Sequence, residues 1–137
     1  MPIVFLDTNI LVYAAIGQET DPAKAKRATE IMAADFCLSA QVLAEFVSVV
    51  RRKSEPEFAP ADMEVWLDRL ARQTVVPLDS EMVRRSAAIS ADHRPNYYDG
   101  AILAAAERLG CDTVLSEDMT DGRAYGAVTV RNPFKEG

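Results

Sequence analysis

Asp7, Glu45, Asp99 and Asp118 are the residues through which this chain could do chemistry. Asp7 directly follows the apolar run IVFL at 3–6, where a buried strand would end. Asp118 lies in TVLSEDMTDG (113–122), which begins as a strand and at once turns acidic. Carboxylates gathered in one place repel, and their pKa values rise unless a cation neutralises them. A ligand set made only of oxygen suits a hard divalent ion, Mg²⁺ or Mn²⁺. Each acid also has a plainer use. Asp99 would suit a helix N-terminus, which favours anions. Glu45 could flank a helix with its head in solvent, and Asp118 could belong to a solvated turn. Asp7 is the hardest to explain in that way.

Other chemistries find little material. His93 is the only histidine, which argues against a histidine-rich zinc site and leaves a nucleophile one imidazole at most. Cys37 and Cys111 have no CxxC spacing and read as buried, reduced thiols. The formal charge of −6 is not the basic balance that advertises a nucleic-acid binder. Steering depends on where charges lie, however, so an acidic pocket rimmed by arginine is compatible with that total. No apolar run approaches the roughly 20 residues that span a bilayer. The opening MPIVFLDTN lacks the basic region and longer apolar stretch of a signal peptide, so a cytoplasmic location is the expectation.

The elements that must position the acids follow from patterning. IVFL predicts a strand, with a helix soon after DTN. Asp21 followed by Pro22 predicts a helix start, running to about residue 34. FCLS (36–39) reads as a strand, and Ser39 can cap the helix AQVLAEFVSVVRRK. Pro56 and Pro60 interrupt the chain before Met63, Trp66, Leu67 and Leu70, which recur at helical spacing. TVVPL (74–78) reads as a strand and Asp79 as the cap of another helix. After a loop at RPN (94–96), a helix through Ile102, Ala105, Ala106 and Leu109 stops at Gly110. TVL and AVTV (127–130) complete the strands. This alternation predicts one α/β domain over residues 1–137, a mostly parallel sheet with helices on both faces. Ligands of such sheets bind outside the carboxyl ends of the strands. Asp7 and Asp118 fall there, and the helices carrying Glu45 and Asp99 begin at that same end. Glu45 lies at the edge of the apolar stripe of its helix, beside Val49, and Asp99 aligns with Ile102 and Ala106.

FLDTNILVY, LSAQVLAEFVSVV, NYYDGAILAAAERLGCDTVLSEDM and YGAVTVRNPF, in that order, resemble the PIN-domain ribonucleases, most closely the toxins of VapBC-type toxin–antitoxin pairs. The resemblance spans nearly the whole chain. It implies a three-layer PIN-like sandwich and an acidic quartet of Asp7, Glu45, Asp99 and Asp118. Thr8, Asn9 and Ser116 fall on the supporting polar positions, and Glu117 or Asp121 could share the role of Asp118. It further implies a Mg²⁺- or Mn²⁺-dependent endoribonuclease, often a homodimer, paired with a small antitoxin, leaving 5′-phosphate and 3′-hydroxyl ends. In that scheme Asp7 and Asp99 are the main metal ligands, Asp118 completes the set directly or through water, and Glu45 binds a second cation or orients the attacking water.

The remaining residues read more plainly. Arg51, Arg52 and Lys53 suit a helix C-terminus, and Lys24, Lys26, Arg27, Arg84 and Arg85 suit solvated helix faces. Arg94 and Arg123 are the loop cations best placed to meet RNA phosphate. Tyr97 and Tyr98 could stack on a base, although packing is their commoner use. Trp66 and Met63 read as core or dimer interface. Three other functions compete: a PIN nuclease of RNA maturation without a toxin role, a receiver-type Mg²⁺-binding signalling domain, and a degenerate PIN module that only binds a partner, against which the complete quartet speaks. The second would want paired acids after the first strand and a lysine after the last, where FLDTN has one acid and TVRNP only arginine.

Overall fold

The computed structural model describes residues 3–54, 56–93 and 96–135. Arg94 and most of the RPN loop therefore lie outside the described residues, as does the side chain of His93. Strand β1 (Val4–Leu6) is followed by helix α1 (Thr8–Ile16), α2 (Pro22–Ile31), strand β2 (Cys37–Ser39) and α3 (Ala40–Lys53). Next come α4 (Pro60–Ala71), β3 (Thr74–Val76), α5 (Ser80–His93), α6 (Tyr97–Arg108), β4 (Thr113–Leu115), β5 (Ala124–Tyr125) and β6 (Val128–Arg131).

The strands form one sheet in the order β3-β2-β1-β4-β6-β5, parallel except for the final β5–β6 pair. Helices cover both faces, as the alternation of elements requires. The apolar core lies between sheet and helices, with Phe5, Leu6, Leu38, Val114 and Val130 meeting Ile10, Leu11, Phe46 and Leu103. The chain builds outward from β1 through β2 to β3, then crosses back to place β4 on the other side of β1. That reversal is a topological switch point, and the crevice it opens lies beyond the carboxyl ends of β1 and β4.

Local chemistry fixes the ends of the elements. Ser39 accepts a hydrogen bond from the Val42 amide at 3.1 Å, Asp79 from Met82 at 2.8 Å and Asp21 from Lys24 at 3.2 Å, as N-caps do. Pro60 occupies the first turn of α4 rather than only breaking the chain, because its missing N–H is no loss there. Three details depart from the sequence expectation. Helix α1 starts at Thr8, with no spacer after Asp7. Helix α2 stops at Ile31, short of residue 34, where Ala33 and Ala34 make i→i−3 turns to Glu30 and Ile31. Strand β5 was not foreseen. It is a two-residue strand folded back on β6 through Gly126, whose φ of +62° suits the tight turn.

Helices α5 and α6 pack closely at Gly100. A Cβ placed there would meet Ser90 Oγ and would lie 2.8 Å from the Ser86 carbonyl oxygen. Ion pairs join the same region: Arg85 grips Glu107 with two hydrogen bonds at 2.8 and 2.9 Å, and Arg108 reaches Asp79 at 3.1 Å.

Candidate active site

The register of β1 against β4, Leu6 opposite Leu115, places Asp7 and Ser116 side by side as the two strands end. The Asp7 amide extends the ladder by donating to the Leu115 carbonyl at 3.0 Å, and the Ser116 amide donates to Arg131 at 3.0 Å. Asp7 thus closes a strand and opens a helix with one residue. Its Oδ1 accepts from the Thr8 amide at 2.6 Å, and its Oδ2 accepts from Ser116 Oγ at 2.6 Å. The side chain is buried, and so is Ser116.

Burial pushes the Asp7 carboxyl up to about 6 from 3.8. The hydrogen bonds from Ser116 and Thr8 oppose that rise, while the charges of Asp118 and Asp99 add to it. Asp99 is also raised, by burial first and then by Asp118 and Glu45. Each acid feels the next, so the four form one electrostatic group although they are distant in sequence.

Each of the other three is held by a neighbour. Thr8 Oγ1 donates to Glu45 Oε2 at 3.2 Å, and Gln41 Nε2 donates to Glu45 Oε1 at 3.2 Å. Asn9 Nδ2 donates to Asp118 Oδ2 at 3.0 Å. Asn96 caps α6 by accepting from the Asp99 amide at 2.9 Å, and its Nδ2 donates to Asp99 Oδ2 at 3.1 Å. Asp7, Thr8, Asn9, Glu45, Asp99, Glu117 and Asp118 all line one cleft of about 620 Å³. Val12, Ile16, Val49 and Ile102 supply its apolar wall, and Arg52, Lys53 and Tyr98 its rim.

Glu117 and Asp121 take different places. Glu117 lines the cleft, but Lys24 Nζ holds its Oε1 and Tyr13 OH its Oε2, the latter at 2.7 Å. Burial alone would raise Glu117, yet the hydrogen bonds from Lys24 and Tyr13 outweigh it and hold the carboxyl below its ordinary range. Asp121 lies outside the cleft lining and accepts from the Asn132 amide at 2.8 Å. Lys24 is accordingly no solvated cation. Arg52 and Lys53 end α3 as expected but also reach the cleft rim, and Arg123 stacks over the Tyr125 ring at 4.7 Å.

Sequence reading missed Gln41, Asn96, Tyr13 and Lys24. Gln41 was within reach, four residues before Glu45 on one helix face. So was Asn96, three residues before Asp99 at capping spacing. Lys24 and Glu117 lie 93 residues apart, and no local pattern joins them.

The donor set suits a hard cation: oxygen atoms only, with Asp7 and Asp99 raised by burial first and by neighbouring acids second, and with the buried Asn9 Oδ1 lacking a hydrogen-bond partner among the described residues. Among the described residues, no three acidic, histidine or cysteine side chains are already converged on one point. Each Asp7 oxygen accepts one hydrogen bond, from Thr8 or from Ser116, and Asp118 Oδ2 accepts one from Asn9, which leaves each of these oxygens a lone pair for an ion.

A PIN domain family profile matches residues 4–120. No curated protein matches the chain significantly. Among solved structures, a toxin–antitoxin complex from Klebsiella pneumoniae superposes with a TM-score of 0.70 at 15% identity, covering 98% of this chain and 99% of that one. VapC20 of Mycobacterium tuberculosis, a sarcin–ricin loop cleaving toxin, gives 0.62 at 14% identity, covering 84% and 91%. VapBC2 from Rickettsia felis, bound to a DNA fragment from its promoter, gives 0.63 at 21% identity, covering 95% and 98%. These likenesses establish the fold shared with VapC-type structures.

Proposed function

This chain belongs to the PIN-domain family, and from that premise we propose that it is a Mg²⁺- or Mn²⁺-dependent endoribonuclease acting as the toxin of a toxin–antitoxin pair. The observation that carries the reading is Asp7, buried at the switch point with its carboxyl raised to about 6 beside the charges of Asp118 and Asp99. Burying a carboxyl, and doing so near two others, costs stability that a bound cation would offset.

On this reading Asp7, Asp99 and Asp118 hold the ion, and Glu45 orients the attacking water. Thr8 and Gln41 fix the Glu45 carboxylate, Asn9 steadies Asp118, and Ser116 steadies Asp7. A bound divalent cation supplies activation of water and neutralises charge on the phosphoryl group. No imidazole is needed. RNA enters along the rim, where Arg52 and Lys53 meet phosphates and the Tyr98 ring, 62% exposed, offers a face for an unpaired base. The toxin part draws on the VapC-type neighbours and on the cleft itself. An acidic pocket would accept a cationic side chain from a small antitoxin, whose terminal segment would cover the site of a homodimeric toxin.

The test uses purified protein and total RNA, with Mn²⁺ or with EDTA. New 5′-phosphate ends should form only with metal, and Asp7→Asn should slow cleavage on the order of 1,000-fold, as loss of a preorganised charge partner does. Undiminished cleavage by folded Asp7→Asn overturns the site. Expression alone should arrest growth, and co-expression of the neighbouring gene should restore it. Normal growth with active protein removes the toxin role and leaves the nuclease.

A further inference from the structure

Glu117 is the residue before Asp118, lines the same cleft, and yet has both carboxylate oxygens engaged by other side chains. Its partners come from two helices: Tyr13 from α1 and Lys24 from α2. Lys24 Nζ also sits 5.3 Å from the centre of the Tyr13 ring and 5.6 Å from that of Phe134. The two rings meet edge to face at 5.2 Å, an arrangement that aromatic quadrupoles favour. Lys24 Nζ is therefore held at the Tyr13 hydroxyl, 3.5 Å away, and beside the Phe134 ring, which attracts a cation. Phe134 lies beyond residues 4–120, the part of the chain that matches the family profile. Its own segment is tied down nearby: Arg27 Nε donates to the Pro133 carbonyl at 3.3 Å, and Asp121 accepts from the Asn132 amide at 2.8 Å.

We infer that Lys24, Tyr13 and Phe134 form a clamp that withholds Glu117 from the acidic group and thereby sets the pose of Asp118, making the C-terminal segment a support of the cation site. The inference rests on the proposal that Asp118 helps to hold a divalent ion. Asp118 is exposed, and among the described residues its side chain has one hydrogen-bond partner, Asn9. A carboxylate so lightly held needs its backbone fixed, and the neighbouring Glu117 does that by anchoring the loop to α1 and α2. The three clamp residues are positioning residues. None is a ligand.

The sign of one measurement separates this role from plain electrostatics. Removing a lysine beside an acidic cleft should tighten cation binding if only Coulomb attraction matters. If Lys24 positions Asp118, its removal should weaken binding instead. Mn²⁺ binding by calorimetry, on protein shown to be folded by circular dichroism, should be about 10-fold weaker in Lys24→Met, a usual cost for losing a residue that orients a ligand. Lys24→Arg should recover most of it. Phe134→Ala changes no charge and should shift affinity in the same direction, which keeps the test open if Lys24→Met does not fold. Turnover should fall in both variants with KM for RNA unchanged. Equal or tighter Mn²⁺ binding by Lys24→Met overturns the clamp. Unchanged binding by Phe134→Ala overturns the part assigned to the C-terminal segment. Failure of the unsubstituted protein to bind Mn²⁺ overturns the metal site, and the clamp with it.

Discussion

Two groups of acids sit on helices α5 and α6 and the strand ends beside them, and they are treated in opposite ways. On the outer surface, Glu107 and Asp79 are neutralised. Arg85 lies on Glu107 and holds it below its ordinary range. The Met82 amide, then Arg108, does the same for Asp79. At the switch point, Asp7 and Asp99 are raised, and no described cationic side chain answers them. Arginine was available to the chain and was placed around the cleft, not in it. The difference separates acids that tie a fold together from acids that no described cationic side chain neutralises.

The largest effect that could break this contrast is the pH dependence of stability. Between about pH 4 and 6 the folded state retains a proton on Asp7 that the unfolded chain has released. Stability without metal should therefore fall as pH rises through that window and level off above it. The fall should be about 3 kcal/mol from this group. Asp79 and Glu107 work with the opposite sign, losing their contribution as pH falls through their lowered pKa values. Urea melts of metal-free protein at pH 4 and pH 7, compared with Asp7→Asn, isolate the Asp7 part; an identical pH response in the two proteins would remove it. Asparagine is a fair replacement, since it can still cap α1.

Somewhat smaller is the response to the ion. At about 100 times its dissociation constant, Mn²⁺ should add roughly 2.7 kcal/mol of stability. Asp99→Asn should raise the metal-free melting temperature by relieving repulsion, and should shrink the rise that Mn²⁺ produces. A substitution that lowers the metal-free melting temperature, with no response of the parent protein to Mn²⁺ at matched ionic strength, would make Asp99 a helix-cap residue and nothing more. The smallest effect belongs to the surface pairs. Arg85→Met should cost less than about 1 kcal/mol. It should leave the response to Mn²⁺ intact, and a large loss of Mn²⁺ affinity would blur the line between the two groups.

Much of this was legible before any coordinates. Strands β1 and β4 announce themselves as apolar runs ending in acids, and the caps Ser39, Asp79 and Asp21 are local signals that the fold honours. The quartet could be assembled because a parallel sheet sends each of its carriers to one edge. What escaped was of two kinds. Strand β5 has two residues, too few for periodicity, and it exists because β6 offers an edge to pair with. The setting of Lys24 is a tertiary fact: patterning on α2 placed it in solvent, whereas Glu117 and the rings of Tyr13 and Phe134 arrive from distant parts of the chain. Arg52 and Lys53 fell between the two kinds. Their place at a helix end was readable, but not that this end borders the cleft.

Gly100 follows Asp99 in the chain, and its bare α-carbon is what lets α6 lie so near to α5. Helix α6 is a rigid rod, so any change in its spacing from α5 is carried straight to the carboxylate next door. A single added methyl would have to displace Ser90 and then the Ser86 backbone, and only the first can swing aside. The width of the cleft on this side is thus calibrated by a missing atom at a position outside the cleft lining. Variation there would be read out as a displaced Asp99 in a protein whose four acids are all intact.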